Sequence, residues 1–225
     1  MERRGTALVT GVGRRRSIGA ELALGLASDG WDVLLNYWAP YDDRLDYERG
    51  ADDPHAIAAQ CRGLGVRAEA VPADLADPEA PSGLVAAARE LGDLRALVMS
   101  HCESVDSAIL DTTVESWDRH FAVNARASWL LIREFAATLA QEPTAEVRGR
   151  IVALTSDHTA HNLPYGASKG ALDRVVIAAA SELGPRGVRA NVINPGPIDT
   201  GWMPPEIRAH SIAAAPAGPP RTARG

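Results

Sequence analysis

The chain has 225 residues, is 46% hydrophobic, carries a formal net charge of -6 and contains two cysteines, Cys61 and Cys102. That length and apolar content suit one buried core, expected over residues 1–212, and the arginines are scattered rather than striped, which leaves no footprint for nucleic acid. No apolar run reaches the about 18 residues of a membrane span, no signal peptide precedes the first strand, and two isolated cysteines supply neither a disulfide framework nor a metal cluster. The expectations are a cytoplasmic protein, a small-molecule partner and no metal.

Strand-like runs alternate with alanine-rich amphipathic stretches along the chain. The first run, Thr6–Thr10, leads through a glycine-rich turn into a helix over Ile18–Ser28, and Asp32–Asn36 follows as the second strand. Tyr37–Asp53 is a polar loop with six Asp or Glu residues, long for such a connection. It either flanks a ligand site or is a solvated insertion, and the second reading is the expectation. Then come a helix over His55–Leu64, a strand over Val66–Val71, a helix over Pro78–Leu91 and a strand over Ala96–Met99. A long helix over Glu115–Gln141, a strand over Arg150–Thr155, a helix over Pro164–Leu183 and a strand over Arg189–Ile193 complete the series. Parallel strands with helical crossovers make a doubly wound, mostly parallel α/β sheet that binds ligands at the carboxyl ends of its strands. The last segment, 213–225, lacks periodicity and is expected to be a disordered tail.

Three features carry chemistry. The turn Thr10-Gly11-Val12-Gly13-Arg14-Arg15-Arg16-Ser17-Ile18-Gly19 stands between a strand and a helix, where glycines admit a pyrophosphate to the backbone and the helix N-terminus attracts its charge. The three arginines offer forks that match phosphate, and the second strand ends Leu34-Leu35-Asn36-Tyr37 without the carboxylate that would favour NAD, so NADP(H) is favoured over NAD(H); against this, Asp42 and Asp43 follow closely in the next loop. Lys169 is the only lysine among 23 basic residues and lies four positions after Tyr165, on the same helical face. An ammonium beside a phenol lowers its pKa and makes a proton donor. A lysine-poor genome equally explains why there is only one.

With these motifs in this order, the chain resembles a classical short-chain dehydrogenase/reductase, similar to the 3-oxoacyl-[acyl-carrier-protein] reductases, over about Thr6 to Trp202. The resemblance implies a Rossmann fold and an NAD(P)-dependent enzyme acting on CH–OH donors. The glycine-rich turn matches through Gly11, Ser17 and Gly19, with serine in place of the middle glycine. Asp74, followed by Leu75, matches the adenine-contacting aspartate, and Asn194-Pro195-Gly196 the motif after the sixth strand. Ile198 and Thr200 fall at positions that contact the nicotinamide carboxamide. By the same resemblance Tyr165 protonates the carbonyl, Ser156 holds its oxygen, Lys169 tunes the tyrosine and binds the nicotinamide ribose, and Asn124 supports a proton-relaying water. Gly11, Arg14, Arg15, Arg16, Ser17, Ile18, Gly19, Asp74, Leu75, Tyr165, Lys169, Pro195, Gly196, Ile198 and Thr200 form the expected cofactor set.

The chain also departs from the family pattern. Met99-Ser100-His101-Cys102 replaces Asn-Asn-Ala-Gly, and Ser156 precedes Tyr165 by nine positions, which calls for a tight loop around His158 and His161. The ending resembles no lid helix and seventh strand, so the usual last strand is expected to be lacking, the sixth left as an exposed edge, and a homo-oligomer doubtful. Two functions follow: an NADPH-dependent oxidoreductase interconverting a ketone, such as a 3-oxoacyl thioester, and a secondary alcohol; or a catalytically impaired protein that binds cofactor only.

Overall fold

A computed structural model describes residues 3–48, 50–203 and 209. Six strands, β1 (Thr6–Thr10), β2 (Asp32–Tyr37), β3 (Ala68–Pro72), β4 (Leu94–Met99), β5 (Gly149–Leu154) and β6 (Val188–Ile193), form one parallel sheet in the order β3-β2-β1-β4-β5-β6. Seven α-helices accompany them among the described residues: α1 (Ile18–Ser28), α2 (Ala39–Arg44), α3 (Asp53–Gly63), α4 (Ala80–Leu91), α5 (Val114–His120), α6 (Ala127–Ala137) and α7 (Leu163–Leu183). A π-helical turn, Phe121–Arg126, joins α5 to α6. Among the described residues no strand follows β6, which is an edge; the expected tail, 213–225, lies outside them.

Strand side chains alternate between two faces, and both are covered, so the central strands are apolar throughout. Ala7, Val9, Val33 and Leu35 pack with Ala20, Ala23 and Ala27 of α1 and with Ile57 and Cys61 of α3. The opposite residues, Leu8, Leu34, Leu97, Met99 and Ile151, pack against α4, α6 and α7 through Leu84, Leu131, Phe135, Leu172 and Val176. Each fully buried Leu, Ile or Phe contributes about 1.5–3 kcal/mol relative to exposure. The alanines of α1 let the helix that opens at the glycine-rich turn lie close to the sheet.

The boundaries differ from the sequence reading in three instructive places. The third strand starts at Ala68 because the Arg67 N–H bonds to the Asp32 carboxylate (2.6 Å), while the Arg67 guanidinium grips the same group. The expected helix Glu115–Gln141 starts one residue earlier, where the Thr113 hydroxyl accepts the Ser116 N–H, is interrupted by the π-turn, and stops at Ala137. The segment 37–53 contains α2, a helix that polar composition concealed.

Strand order reverses between β1 and β4, whose register pairs Thr10 with Met99. Gly11 therefore abuts Ser100 and His101. It sits at φ 76°, and a Cβ there would stand 2.7 Å from the His101 nitrogen and the Ser100 carbonyl carbon, so only glycine fits. This reversal is where a doubly wound sheet opens a ligand crevice.

Candidate active site

A cleft of about 170 Å³ opens at that point, lined by Gly11, Gly13, Arg14, Ser17, Ile18, Asn36, Asp74, Leu75, Ser100, His101, Cys102 and Thr200, among others. The Ser17 hydroxyl caps α1 by accepting the Ala20 N–H (3.1 Å). The leading N–H groups of the helix have no intrahelical acceptor, and Ser17 and Ile18 bring that first turn to the cleft wall. A glycine turn that touches β4, a helix N-terminus and Arg14 together fit a dinucleotide's pyrophosphate. Pro195, Gly196 and Ile198 are not among the wall residues, whereas Thr200 is.

Trp38, Tyr41 and Asp42 also line the cleft, which corrects the reading of 37–53 as a solvated insertion. Three ion pairs fasten the glycine-rich turn. Arg14 Nε meets Asp42 at 2.9 Å, Arg15 Nε meets Asp53 at 3.0 Å, and Arg16 Nη2 meets Asp199 at 2.8 Å. Of the three arginines only Arg14 faces the cleft. The sequence raises Asp42 and Asp43 as acids close behind the second strand without giving their path; the fold brings Asp42 to the cleft and leaves Asp43 exposed.

A second network escaped the sequence reading as well. Glu103 is 2% exposed, ion-pairs with Arg44 of α2, and accepts from Arg119 Nε at 3.3 Å. Arg119 in turn holds both oxygens of Asp74, at 2.8 and 3.0 Å, so the expected adenine-contacting carboxylate is braced from α5. The Asn124 side chain clamps the Glu103 backbone, accepting its N–H (2.7 Å) and donating to its carbonyl (2.8 Å). It also donates to the Ser168 hydroxyl (2.8 Å), which donates to the Tyr165 carbonyl. Asn124 lies in the π-turn, a form of helix found often at functional sites.

Ser156, two residues beyond β5, accepts the His158 N–H (3.2 Å) and stands near enough to the Tyr165 phenol to lower its pKa. Lys169 is buried, with its Nζ 5.7 Å from the centre of the Tyr165 ring and donating to the Leu154 carbonyl at 2.8 Å. The loop between them is tight, as its length required, and His161 adopts a left-handed φ of 64° while the His158 ring meets Tyr165 edge-on. The expected fall in the tyrosine pKa is not what this packing gives. Burial raises it, the neighbouring Cys102 thiol adds to the rise, and Ser156 only partly offsets them. Burial also lowers the pKa of Lys169, because desolvation penalises the charged form of either group. A phenol held neutral is still the form that donates a proton.

The replaced Met99–Cys102 segment is rebuilt around His101. The Val123 carbonyl can only accept, so His101 Nε2 donates to it (3.1 Å) and Nδ1 accepts the Thr10 hydroxyl proton (2.6 Å). Burial, reinforced by the charge of Lys169, pushes the His101 pKa down to about 3 from its ordinary 6.5, and burial likewise lowers His120. An unfolded chain binds these protons below about 6.5 whereas the folded one does not, so stability is full above that pH and is lost as pH falls towards 3. Asp32 and Asp53, whose burial is outweighed by arginine and backbone N–H partners, titrate below 3.8 and add to the loss only at the acid end. Melting temperature is therefore expected to drop between pH 6.5 and 4, with a shallower slope in His101→Gln; an unchanged slope would assign the effect elsewhere.

A sequence model described as Enoyl-(Acyl carrier protein) reductase matches residues 11–219, nearly the whole chain. The chain belongs to the short-chain dehydrogenase/reductase family. An uncharacterized oxidoreductase of Bacillus subtilis, YjdA, is 31% identical, over 90% of this chain and 78% of the relative. The chloroplastic NADPH-dependent aldehyde reductase-like protein of Arabidopsis thaliana is also 31% identical, over 94% of this chain and 80% of its own. The crystal structure of a Burkholderia cenocepacia short chain dehydrogenase in complex with NADP superposes with a TM-score of 0.82 at 31% identity, covering 97% of this chain and 85% of that one. As a member of the short-chain dehydrogenase/reductase family the protein is an NAD(P)-dependent oxidoreductase with a Rossmann-like fold. Among the described residues no helix is long and apolar enough to cross a membrane.

Proposed function

We propose that the protein interconverts a ketone and a secondary alcohol using NADP(H), with 3-oxoacyl thioesters as the substrate class to test first. The observation that carries this is buried Lys169 with its Nζ 5.7 Å from the Tyr165 ring centre, on the next turn of the same helix, with Ser156 near enough to lower the phenol's pKa. Cys102 lines the cleft, and its sulfur lies within electrostatic reach of both Tyr165 and Lys169.

The bound dinucleotide supplies or accepts a hydride; the chain's own residues orient the partners and move the proton. In this reading Gly11, Arg14, Ser17, Ile18, Asp74, Leu75 and Thr200 hold the cofactor from the cleft wall, with Arg15, Arg16, Gly19, Pro195, Gly196 and Ile198 supporting from outside it. The neutral Tyr165 hydroxyl gives its proton to the carbonyl oxygen, and Ser156 orients both by hydrogen bonding. Lys169 stands beside the phenol to stabilise its anion once the proton has left, and Asn124 fixes the helix and loop between which this happens. The hydrogen bonding of both His101 ring nitrogens favours a working site over the binding-only alternative, because it anchors the segment that replaces Asn-Asn-Ala-Gly.

NADP(H) use draws support from the β2 tip, where Asn36 and Tyr37 stand in place of a carboxylate, and from relatives named for or crystallised with NADPH or NADP. Purified protein titrated with each cofactor is expected to bind NADPH more tightly than NADH, and to oxidise NADPH with at least one of a panel of 3-oxoacyl thioesters and simple ketones. Tighter NADH binding that Arg16→Ala leaves unaltered would overturn the cofactor assignment. NADPH binding without oxidation across the panel would support the binding-only reading.

A further inference from the structure

At the amino ends of the strands, opposite the cleft, lies a hollow of about 480 Å³. All the strands are parallel, so their first residues meet along one edge of the sheet, and arginines scattered in the sequence are gathered there. Arg3 and Arg4 lead into β1, Arg67 precedes β3, Arg95 stands at the start of β4 and Arg150 at the start of β5. Asp32 and Asp93 are the acids on the same wall, so five guanidinium groups stand against two carboxylates in a chain whose formal net charge is -6. Asp32 pairs with Arg67 (2.7 Å) and Arg3 (3.4 Å), and Asp93 pairs with Arg95 (2.7 Å). The side chains of Arg4 and Arg150 are exposed and have no hydrogen bond or ion pair among the described residues. Arginines at this end of such a sheet can serve to cap helix C-termini, as Arg186 does by donating to the Ala136 carbonyl of α6. None of the five does so among the described residues, where their printed donations go to Asp32 and Asp93. The backbone that carries them is pinned: the Arg4 N–H donates to the Gly30 carbonyl (3.2 Å), the Asp32 N–H to the Gly5 carbonyl (3.0 Å) and the Thr6 N–H to the Asp93 carbonyl (2.7 Å).

We propose that this hollow binds a small anion carrying two or more phosphate groups, with Arg4 and Arg150 as its principal ligands and Arg3, Arg67 and Arg95 supporting them. Guanidinium forks pair with phosphate oxygens two at a time, and those of Arg4 and Arg150 are uncommitted. One phosphate group carries about 1.5 to 2 negative charges, fewer than the excess of three positive charges here, whereas a short oligophosphate matches it. The volume also falls in the range of small-molecule sites. A strand of five or six residues, roughly 17–20 Å long, separates the hollow from the cleft, so the two sites can be filled together. The anion site does not rest on the reaction proposed above.

The test is calorimetric titration of inorganic tripolyphosphate into the full chain at low salt, where charge attraction is least screened, with NADPH in excess to occupy the cleft. One anion per chain is expected to bind, and Arg4→Gln/Arg150→Gln to weaken it by about tenfold or more, because two unpaired forks are lost. Arg133→Gln/Arg174→Gln makes the same change in net charge at exposed positions of α6 and α7 and is expected to leave affinity near wild type. Arg4 and Arg150 are exposed and their side chains bond nothing among the described residues, so replacing them leaves the fold intact. ATP titrated alongside separates a nucleotide, which then binds more tightly than the bare phosphate chain, from an inorganic oligophosphate, which binds as tightly or more so. Citrate binding as tightly as tripolyphosphate, no binding by wild type, binding only in the absence of NADPH, or equal weakening in the two double variants would overturn the inference. NADPH titrations of the same samples report on the proposed function separately.

Discussion

Tyr165→Phe is expected to lower turnover by about 10² to 10⁴-fold, the usual contribution of a positioned proton donor, while dinucleotide affinity stays near wild type. The ring of Tyr165 lies 5.7 Å from Lys169 Nζ, and Ser156 acts on its phenol; removing the oxygen removes the proton without changing the ring that meets His158 edge-on. The structural cost is one hydrogen bond, about 1 kcal/mol, too little to unfold the chain. Steady-state kinetics on the substrate found in the panel, together with a calorimetric titration of NADPH, check this. Activity within tenfold of wild type would remove Tyr165 from its role.

Gly11→Ala is expected to be the most damaging single-methyl change near the cleft. The residue's φ of 76° disfavours any side chain, and the added carbon meets backbone atoms of Ser100 and His101 at 2.7 Å, which cannot rotate out of the way. Backbone strain and overpacking together give about 2–4 kcal/mol of lost stability. If the turn instead yields, the strand ends β1 and β4 separate and cofactor affinity falls. Chemical denaturation and a cofactor titration read the two outcomes, and a variant indistinguishable from wild type in both would contradict the tight β1–β4 junction described here.

The fold was largely legible because apolar runs such as Ala7–Val9 and Leu97–Met99 are buried on both faces, and α1 begins at its capping serine, Ser17. Tyr165 and Lys169 were legible as a pair because helical spacing puts them on one face, whereas Ser156 was named only through the family resemblance. What stayed hidden depends on long-range partners. Asp42 and Asp43 were visible as acids close behind the second strand, but only the three-dimensional path returns Asp42 to Arg14, 28 positions earlier. Glu103 and Arg119 carry no local motif; their meaning comes from Asn124 clamping one and Asp74 accepting the other. The tyrosine pKa was misjudged for a similar reason. Helical spacing brings the lysine alongside, but burial, invisible in one sequence, dominates and raises the phenol's pKa, with only Ser156 acting the other way.

The central claim is that the chain passes a hydride between a nicotinamide and a carbonyl carbon while Tyr165 handles the proton. The measurement that tests it most directly uses NADPH deuterated at C4 of the nicotinamide, incubated with the protein and a reducible member of the ketone panel, followed by mass spectrometry of the product. Deuterium on the carbinol carbon in wild type, and its near absence in Tyr165→Phe, is the predicted result. Alcohol formed without deuterium from either C4 position, or labelled equally fast by Tyr165→Phe, would contradict it.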